Sequence, residues 1–273
     1  MRTIAHVSDF HFGAELPWVA EALRADLARI SPSLTVVSGD LTQRARRRQF
    51  AEARAFLEKL PGPRLVVPGN HDVPLYDVFR RMFAPLARYR KFIGADLDPV
   101  FDDGELFVAG VNTARALSWE SGRISVSQIN ALRHELGRTQ ARFKVVVTHH
   151  PFIPPPAGSA SARIDLVGRA RRALVVLDAG SVDLLLSGHL HRSYGGDART
   201  RTPASRRAIV AAQAGTAISR RLRARDPNSY NLISLDEDMI SVEVRTWSDD
   251  RFVSLRTARF VRAEQGWIAA GGA

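Results

Sequence analysis

The chain has 273 residues, 45% of them hydrophobic and 8% aromatic, with no Cys and a formal net charge of +11. That length and apolar content suit one large cored domain or two small ones, and a single catalytic domain over residues 1–273 is the simpler expectation. The lack of Cys excludes disulfides and thiolate metal sites, the start Met1–Asp9 has no basic then apolar leader, and no stretch approaches the ~20 apolar residues of a membrane-spanning helix.

A cytoplasmic location is the expectation on these grounds. The positive charge is almost all arginine, since Lys occurs only at Lys59, Lys91 and Lys144. Such a field draws anions, and a small phosphate-bearing substrate fits it. Nucleic acid is not favoured, because the Arg44–Arg48 run reads as a solvated helix face without interleaved aromatics for base stacking.

In chain order, Thr3–Asp9 is expected as a strand, Pro17–Ile30 a helix, Leu34–Asp40 a strand, Arg46–Leu60 a helix and Arg64–Asn70 a third strand. Such βαβ units favour parallel pairing with right-handed crossovers. Tyr76–Ile93 reads as helical with an interruption near Pro85, and Glu105–Asn112 returns to strand. Ser127–Leu136 is expected as a helix, Lys144–Thr148 a buried strand, Asp165–Asp178 a helix and Leu184–Ser187 a strand. Beyond Arg207 strands follow one another: Ala208–Ala212, Ser229–Leu235, Ile240–Thr246 and Phe252–Phe260. The motif-bearing part thus spans 1–191 and a mostly β part 207–262, with a second, antiparallel sheet implied by the late strands. The loops Pro151–Ala162, Arg192–Arg207 and Ser219–Pro227 are irregular and lie where substrate loops are expected, and the excursion Pro74–Pro99 with the loops Arg115–Arg123, Pro151–Ala162 and Arg192–Arg207 is expected to shape the cleft.

Five short motifs fall at the ends of predicted strands: Asp9-Phe-His11, Gly39-Asp40, Gly69-Asn-His71-Asp72, Thr148-His149-His150-Pro151 and Gly188-His189-Leu-His191. Six of the eight His lie in them, which core packing does not explain; His6 inside the first strand and His134 on a helix read as structural and solvated. Imidazole nitrogen with carboxylate and amide oxygen suits Mn, Fe, Zn or Co. On a strand, residues two apart face the same way, so Asp9 with His11, and His189 with His191, are expected to converge from strand ends. Asp40, with two carboxylate oxygens, is able to bridge two cations, and ligands in open α/β sheets gather outside the carboxyl ends of strands.

These five ordered motifs resemble the calcineurin-like metallophosphoesterase superfamily over Asp9 to His191, and among its branches the bacterial class III cyclic-nucleotide phosphodiesterases. The resemblance implies an α/β fold, a four-layer αββα sandwich of two mixed sheets with the metal site at strand carboxyl ends. It implies one metal on Asp9, His11, Asp40 and His191 and a second on Asp40, Asn70, His149 and His189, both divalent or mixed-valence transition-metal ions. His149 is taken as the ligand because the family motif has His, any residue, then Pro. The implied reaction is hydrolysis of a small phosphodiester, a 3′,5′-cyclic nucleotide first, by in-line attack of a hydroxide held between the ions. His71 is the expected general acid, with Asp72 to orient it or raise its pKa; His150 and Arg44 are weaker candidates for touching substrate. His71 stands where the pyrophosphohydrolases of lipid A synthesis have Arg, and Gln43 where purple acid phosphatases have a Tyr ligand. Glycerophosphodiesterases, nucleotide pyrophosphatases, monoesterases and nucleases remain as alternatives, a scaffold without catalysis ranks last, and a homodimer is left open.

Overall fold

Apolar runs become strands and amphipathic stretches become helices in regular alternation through the first half of the chain. The computed structural model describes residues 1–154, 166–197, 207–223 and 226–270. First come β1 (Arg2–Val7), α1 (Pro17–Ile30), β2 (Leu34–Ser38), α2 (Arg47–Leu57) and β3 (Arg64–Val67). The short helices α3 (Val78–Phe83) and α4 (Ala87–Phe92) follow, parted around Pro85 as its missing N–H and ring sterics require. Then come β4 (Val100–Asp102), β5 (Leu106–Val111), α5 (Val126–Arg138), β6 (Phe143–Thr148), α6 (Ala170–Ala179), β7 (Leu184–Ser187), β8 (Tyr194–Asp197) and β9 (Val210–Gln213). Four strands close the order: β10 (Ser229–Asp236), β11 (Met239–Ser248), β12 (Arg251–Ala263) and β13 (Gly266–Ala269).

The strands form a seven-stranded sheet, β13-β12-β11-β10-β1-β2-β3, and a six-stranded sheet, β4-β5-β6-β7-β9-β8. Both are mixed. Because side chains alternate across a strand, each central strand feeds two cores. Val145 and Val147 point between the sheets with Ile4, Val36, Leu184 and Leu186, whereas Val146 and Leu185 pack outward with Ile129, Leu132 and Leu177 of α5 and α6. On the other side, Ala5 and Val37 meet Leu23 and Leu27 of α1 and Phe50 of α2. Three apolar layers therefore separate four layers of secondary structure, helix, sheet, sheet, helix.

One expectation is corrected. The late strands do not make a second antiparallel sheet of their own. β9 is buried along its whole length and inserts parallel to β7, while β10 to β13 extend the first sheet antiparallel from β1. The burial pattern gives the reason: β9 is covered on both faces like the parallel strands, and β11 alternates buried with partly exposed positions. Three short strands, β4, β8 and β13, lay outside the predicted elements. α5 begins one residue earlier than expected, because Ser125 and Gln128 form a capping box in which Gln128 N–H donates to Ser125 Oγ at 3.1 Å and Ser125 N–H to Gln128 Oε1 at 2.9 Å. Of the irregular loops, residues 155–162, 198–206 and 224–225 lie outside the described residues, as does residue 165 of the helix predicted over Asp165–Asp178, which is observed as α6 from Ala170.

His6 is structural, as its place in the first strand suggested. Its ring is buried, with Nε2 2.9 Å from Ser38 Oγ of β2 and Nδ1 3.3 Å from Asn231 Nδ2 of β10, and burial pushes it down to about 3. A neutral imidazole thus ties three strands beside the motif loops.

α1 is locked onto the first sheet by Asp26. Tyr230 Oη donates to it at 2.6 Å and Arg245 Nε at 2.9 Å, from β10 and β11 respectively. Burial works to raise this carboxyl, but the bonds from Tyr230, Arg245 and Arg29 prevail and hold it below the usual carboxylate range. A depressed folded-state pKa stabilises the fold above the unfolded value and is lost as pH falls through the folded one. Asp26→Asn is expected to cost about 2–3 kcal/mol at pH 7, less than for a fully buried pair. In urea titrations of both proteins the gap should be full at neutral pH and close below about pH 4.

Candidate metal centre

The five motif loops leave the carboxyl ends of β1, β2, β3, β6 and β7, and the backbone stitches them together. Asp9 N–H donates to Gly39 O at 3.1 Å, His11 N–H to Asp40 O at 3.0 Å and Gly188 N–H to His149 O at 3.0 Å. β1 has already ended at Val7, so strand alternation is not what brings Asp9 and His11 together, contrary to the expectation above. Instead Asp9, His11, Asp40, His189 and His191 all adopt left-handed backbone, with φ of 56°, 48°, 53°, 75° and 55°. Each such residue costs on the order of 1–3 kcal/mol, so the surrounding contacts must impose this geometry.

Two clusters result. In the first, His11 Nε2 lies 3.1 Å from His191 Nε2, Asp9 Oδ1 is 3.2 Å from His191 Nε2, and Asp40 Oδ2 is 3.7 Å from His11 Nε2. In the second, Asn70 Oδ1 is 3.1 Å from His149 Nε2 and 3.2 Å from His189 Nδ1, and Asp40 Oδ1 is 3.4 Å from His149 Nε2. Asp40 turns one oxygen to each cluster, Oδ2 to the first and Oδ1 to the second. One ring nitrogen of His150 also lies within 4.8 Å of a ring nitrogen of His149 and of His189.

The donor set fits transition-metal ions. Ligand atoms bonded at about 2.0–2.2 Å to one ion sit roughly 3–3.5 Å apart, close to the separations found. Asp9 Oδ1 is buried without a hydrogen-bond donor, an orphan that a cation would satisfy. Two of the rings are oriented from behind: His149 Nδ1 lies 2.7 Å from Ser38 O and His191 Nδ1 2.6 Å from Arg221 O, which fixes their Nδ1–H tautomer and turns Nε2 inward. Asn70 aims its oxygen inward because its Nδ2 donates to Trp119 O at 3.2 Å.

Burial would raise Asp9 and Asp40, but the neighbouring imidazoles, His191 for Asp9 and His149 for Asp40, hold both well below the usual carboxylate range. Burial pushes His11 down to about 4 and His189 to about 3, so both rings are neutral with lone pairs free for a cation. For His149 burial is outweighed by Asp40, which lifts it to about 9.

Beside the clusters lies a cavity of about 250 Å³, lined by Gln43, Arg44, Asn70, His71, Trp119 and Arg221 among others. His71 Nδ1 is 3.0 Å from Gln43 O, and Arg221 Nη1 is 2.9 Å from His71 Nε2. Arg44 stands on the wall with Nη1 3.5 Å from His71 Nδ1. Asp72, expected to orient His71, makes no bond to its ring. It is buried, accepts from the backbone N–H of Leu41, Thr42 and Gly69, and staples the second and third motif loops. Burial, and then the charge of Asp40, push it up to about 7 against those amides. His150 is likewise corrected: it is fully buried, with Nδ1 2.7 Å from Thr113 Oγ1 and Nε2 2.8 Å from Glu120 O, so neither nitrogen is left for a substrate. Arg221 was not singled out from the sequence, although its loop was; the one signal is the Arg-rich stretch around it.

A profile of calcineurin-like phosphoesterases matches residues 2–193. The chain belongs to that family. It is a metal-dependent phosphoric ester hydrolase with Asp and His groups placed to hold metal. Over 204 residues it is 24% identical to a probable cyclic nucleotide phosphodiesterase of Synechococcus sp., spanning 70% of this chain and 74% of that protein. It is 26% identical over 203 residues to the glycerophosphodiester phosphodiesterase GpdQ of Enterobacter lignolyticus, spanning 69% of this chain and 70% of the other. PhoD shares the fold with a TM-score of 0.70 at 12% identity, covering 100% of this chain and 72% of PhoD. A purple acid phosphatase from yellow lupin does so at 0.64 and 13% identity over 93% of this chain, which spans about half of that protein's length, 52%. Among the described residues no helix is long and apolar enough to cross a membrane.

Gly69 has no Cβ because one would fall on the Asp40 carboxylate. Gly69→Ala is therefore expected to turn Asp40 away and weaken metal binding 10-fold or more, within the range seen for residues that orient ligands. Metal titration followed by calorimetry checks this; wild-type affinity in the variant would contradict it.

Proposed function

We propose that the protein is a binuclear metal-dependent phosphodiesterase of the cytoplasm that hydrolyses a small anionic phosphodiester, a 3′,5′-cyclic nucleotide before others. The observation that carries the reading is Asp40, whose two oxygens face two separate ligand clusters. Asp9, His11, Asp40 and His191 would hold one ion, and Asp40, Asn70, His149 and His189 the other, with Mn, Fe, Zn and Co all suited to these donors. Bound ions supply Lewis-acid stabilisation of the phosphoryl oxygens and make water a nucleophile at neutral pH. The preference for a cyclic nucleotide is supported by two relatives named as probable cyclic nucleotide phosphodiesterases, at 24% and 27% identity. GpdQ supports a second reading, a glycerophosphodiester.

The chain's own groups complete the chemistry. Arg221 and Arg44 both present guanidinium groups at His71 and would take the non-bridging oxygens of the phosphate. With Nδ1 held by Gln43 O, the His71 ring turns Nε2 towards Arg221. An incoming phosphate oxygen draws that guanidinium off, which frees the Nε2 lone pair to take up a proton from solvent and then, as imidazolium, give it to the departing alkoxide.

The metal-reconstituted protein should be assayed on 3′,5′- and 2′,3′-cyclic nucleotides, a glycerophosphodiester, a bis-aryl phosphate and a monoester. Diesters are expected to turn over, with the highest kcat/KM on the 3′,5′-cyclic nucleotide; turnover of monoesters alone would sink the reading. His71→Gln should lower kcat on an alkyl diester roughly 100-fold or more. The loss should be smaller on the bis-aryl phosphate, whose leaving group needs no proton, and equal losses on both would deny His71 the acid role.

A further inference from the structure

Trp119 is a large apolar ring left 61% exposed on the wall of the cleft, where packing gives no reason for it. Its position is nonetheless fixed. Its carbonyl accepts from Asn70 Nδ2, so one side chain connects this backbone to the second ligand cluster. The Arg81 guanidinium lies 5.0 Å from the indole centroid, and Arg81 is itself buried, with Nη1 donating to Pro74 O at 2.9 Å and Nη2 to Ser118 O at 2.5 Å. Among the described residues no aromatic ring stacks on Trp119. A rigid indole, backed by a cation and open to the cleft, is a stacking platform.

We infer that Trp119, steadied by Arg81, is the subsite for the nucleobase of the substrate. The inference rests on the cyclic-nucleotide reading and sharpens it. An exposed indole also attracts quaternary ammonium groups such as choline. Here the cleft wall carries Arg44, Arg81 and Arg221, whose positive charge opposes a cationic head group and leaves a neutral, planar ring as the better occupant. Stacking is tolerant of sequence, so the platform selects for a base rather than for one base. Selectivity between a cyclic nucleotide and a glycerophosphodiester is then set by this side chain, away from the metal ligands.

The test uses the metal-reconstituted enzyme and the variants Trp119→Ala and Trp119→Tyr. Trp119→Ala should raise KM for 3′,5′-cyclic AMP roughly 10- to 100-fold with a much smaller effect on kcat, and lower the ratio of kcat/KM for cyclic AMP over glycerophosphoethanolamine at least 10-fold. Trp119→Tyr should restore most of that ratio. Equal losses on both substrates would make Trp119 a mere anchor of its loop and overturn the proposal. Titration with 5′-AMP, followed by tryptophan fluorescence, gives a readout that does not depend on turnover: quenching is expected in the wild type and lost in Trp119→Ala. If the wild type hydrolyses no cyclic nucleotide, the functional reading fails by itself, and this titration still decides the subsite, since absent quenching, or quenching that survives in the variant, overturns it.

Discussion

Two carboxylates, Asp9 and Asp40, are buried where the ends of two sheets meet, and among the described residues their ion-pair partners are imidazoles rather than Lys or Arg. Ionised carboxylates removed from water are costly unless compensated, and here the compensation comes from imidazoles, His191 beside Asp9 and His149, lifted to about 9, beside Asp40. The rest of the site follows from that buried charge. Buried His11 and His189 are held neutral, their lone pairs crowd towards the same points as the carboxylate oxygens, and Asp9 Oδ1 is left without a donor. Such an arrangement is one that cations would complete.

The sandwich is the means of holding this arrangement. Parallel strands deliver their carboxyl ends to one edge, three from the first sheet and two from the second, and the apolar layer between the sheets sets their spacing. Left-handed backbone at five candidate ligands stores strain that hydrogen bonds between loops must offset. Asp72 has its place here. By accepting from Leu41, Thr42 and Gly69 it joins the loop that carries Asp40 to the one that carries Asn70 and His71. On the proposed reading the rim would divide the remaining work, with arginines for anionic oxygens, His71 for a proton and Trp119 for a planar ring.

Much of this was legible from residue types. Imidazoles are few in this chain, and their gathering beside Asp, Asn and Gly at the ends of apolar runs marks a metal site whatever the details of the backbone. What the pattern does not carry is how those residues converge. Strand alternation was a natural reading of Asp9-Phe-His11, yet the strand ends before it and turns bring the two together. Neighbours in sequence were also misleading: Asp72 follows His71 but bonds other loops, and His150 follows His149 but points into protein. The partner sheet of β9 depends on burial of both its faces, a tertiary fact that a run of Val and Ala cannot declare. Arg221 reaches His71 across 150 positions, so nothing local announces it.

The central claim is that Asp40 is shared by two ions. Anomalous diffraction from crystals of the manganese-reconstituted protein tests it most directly. The account predicts two peaks about 3.5–4 Å apart with one Asp40 oxygen on each. A single peak, or two peaks with Asp40 bound to neither or only one, would contradict it.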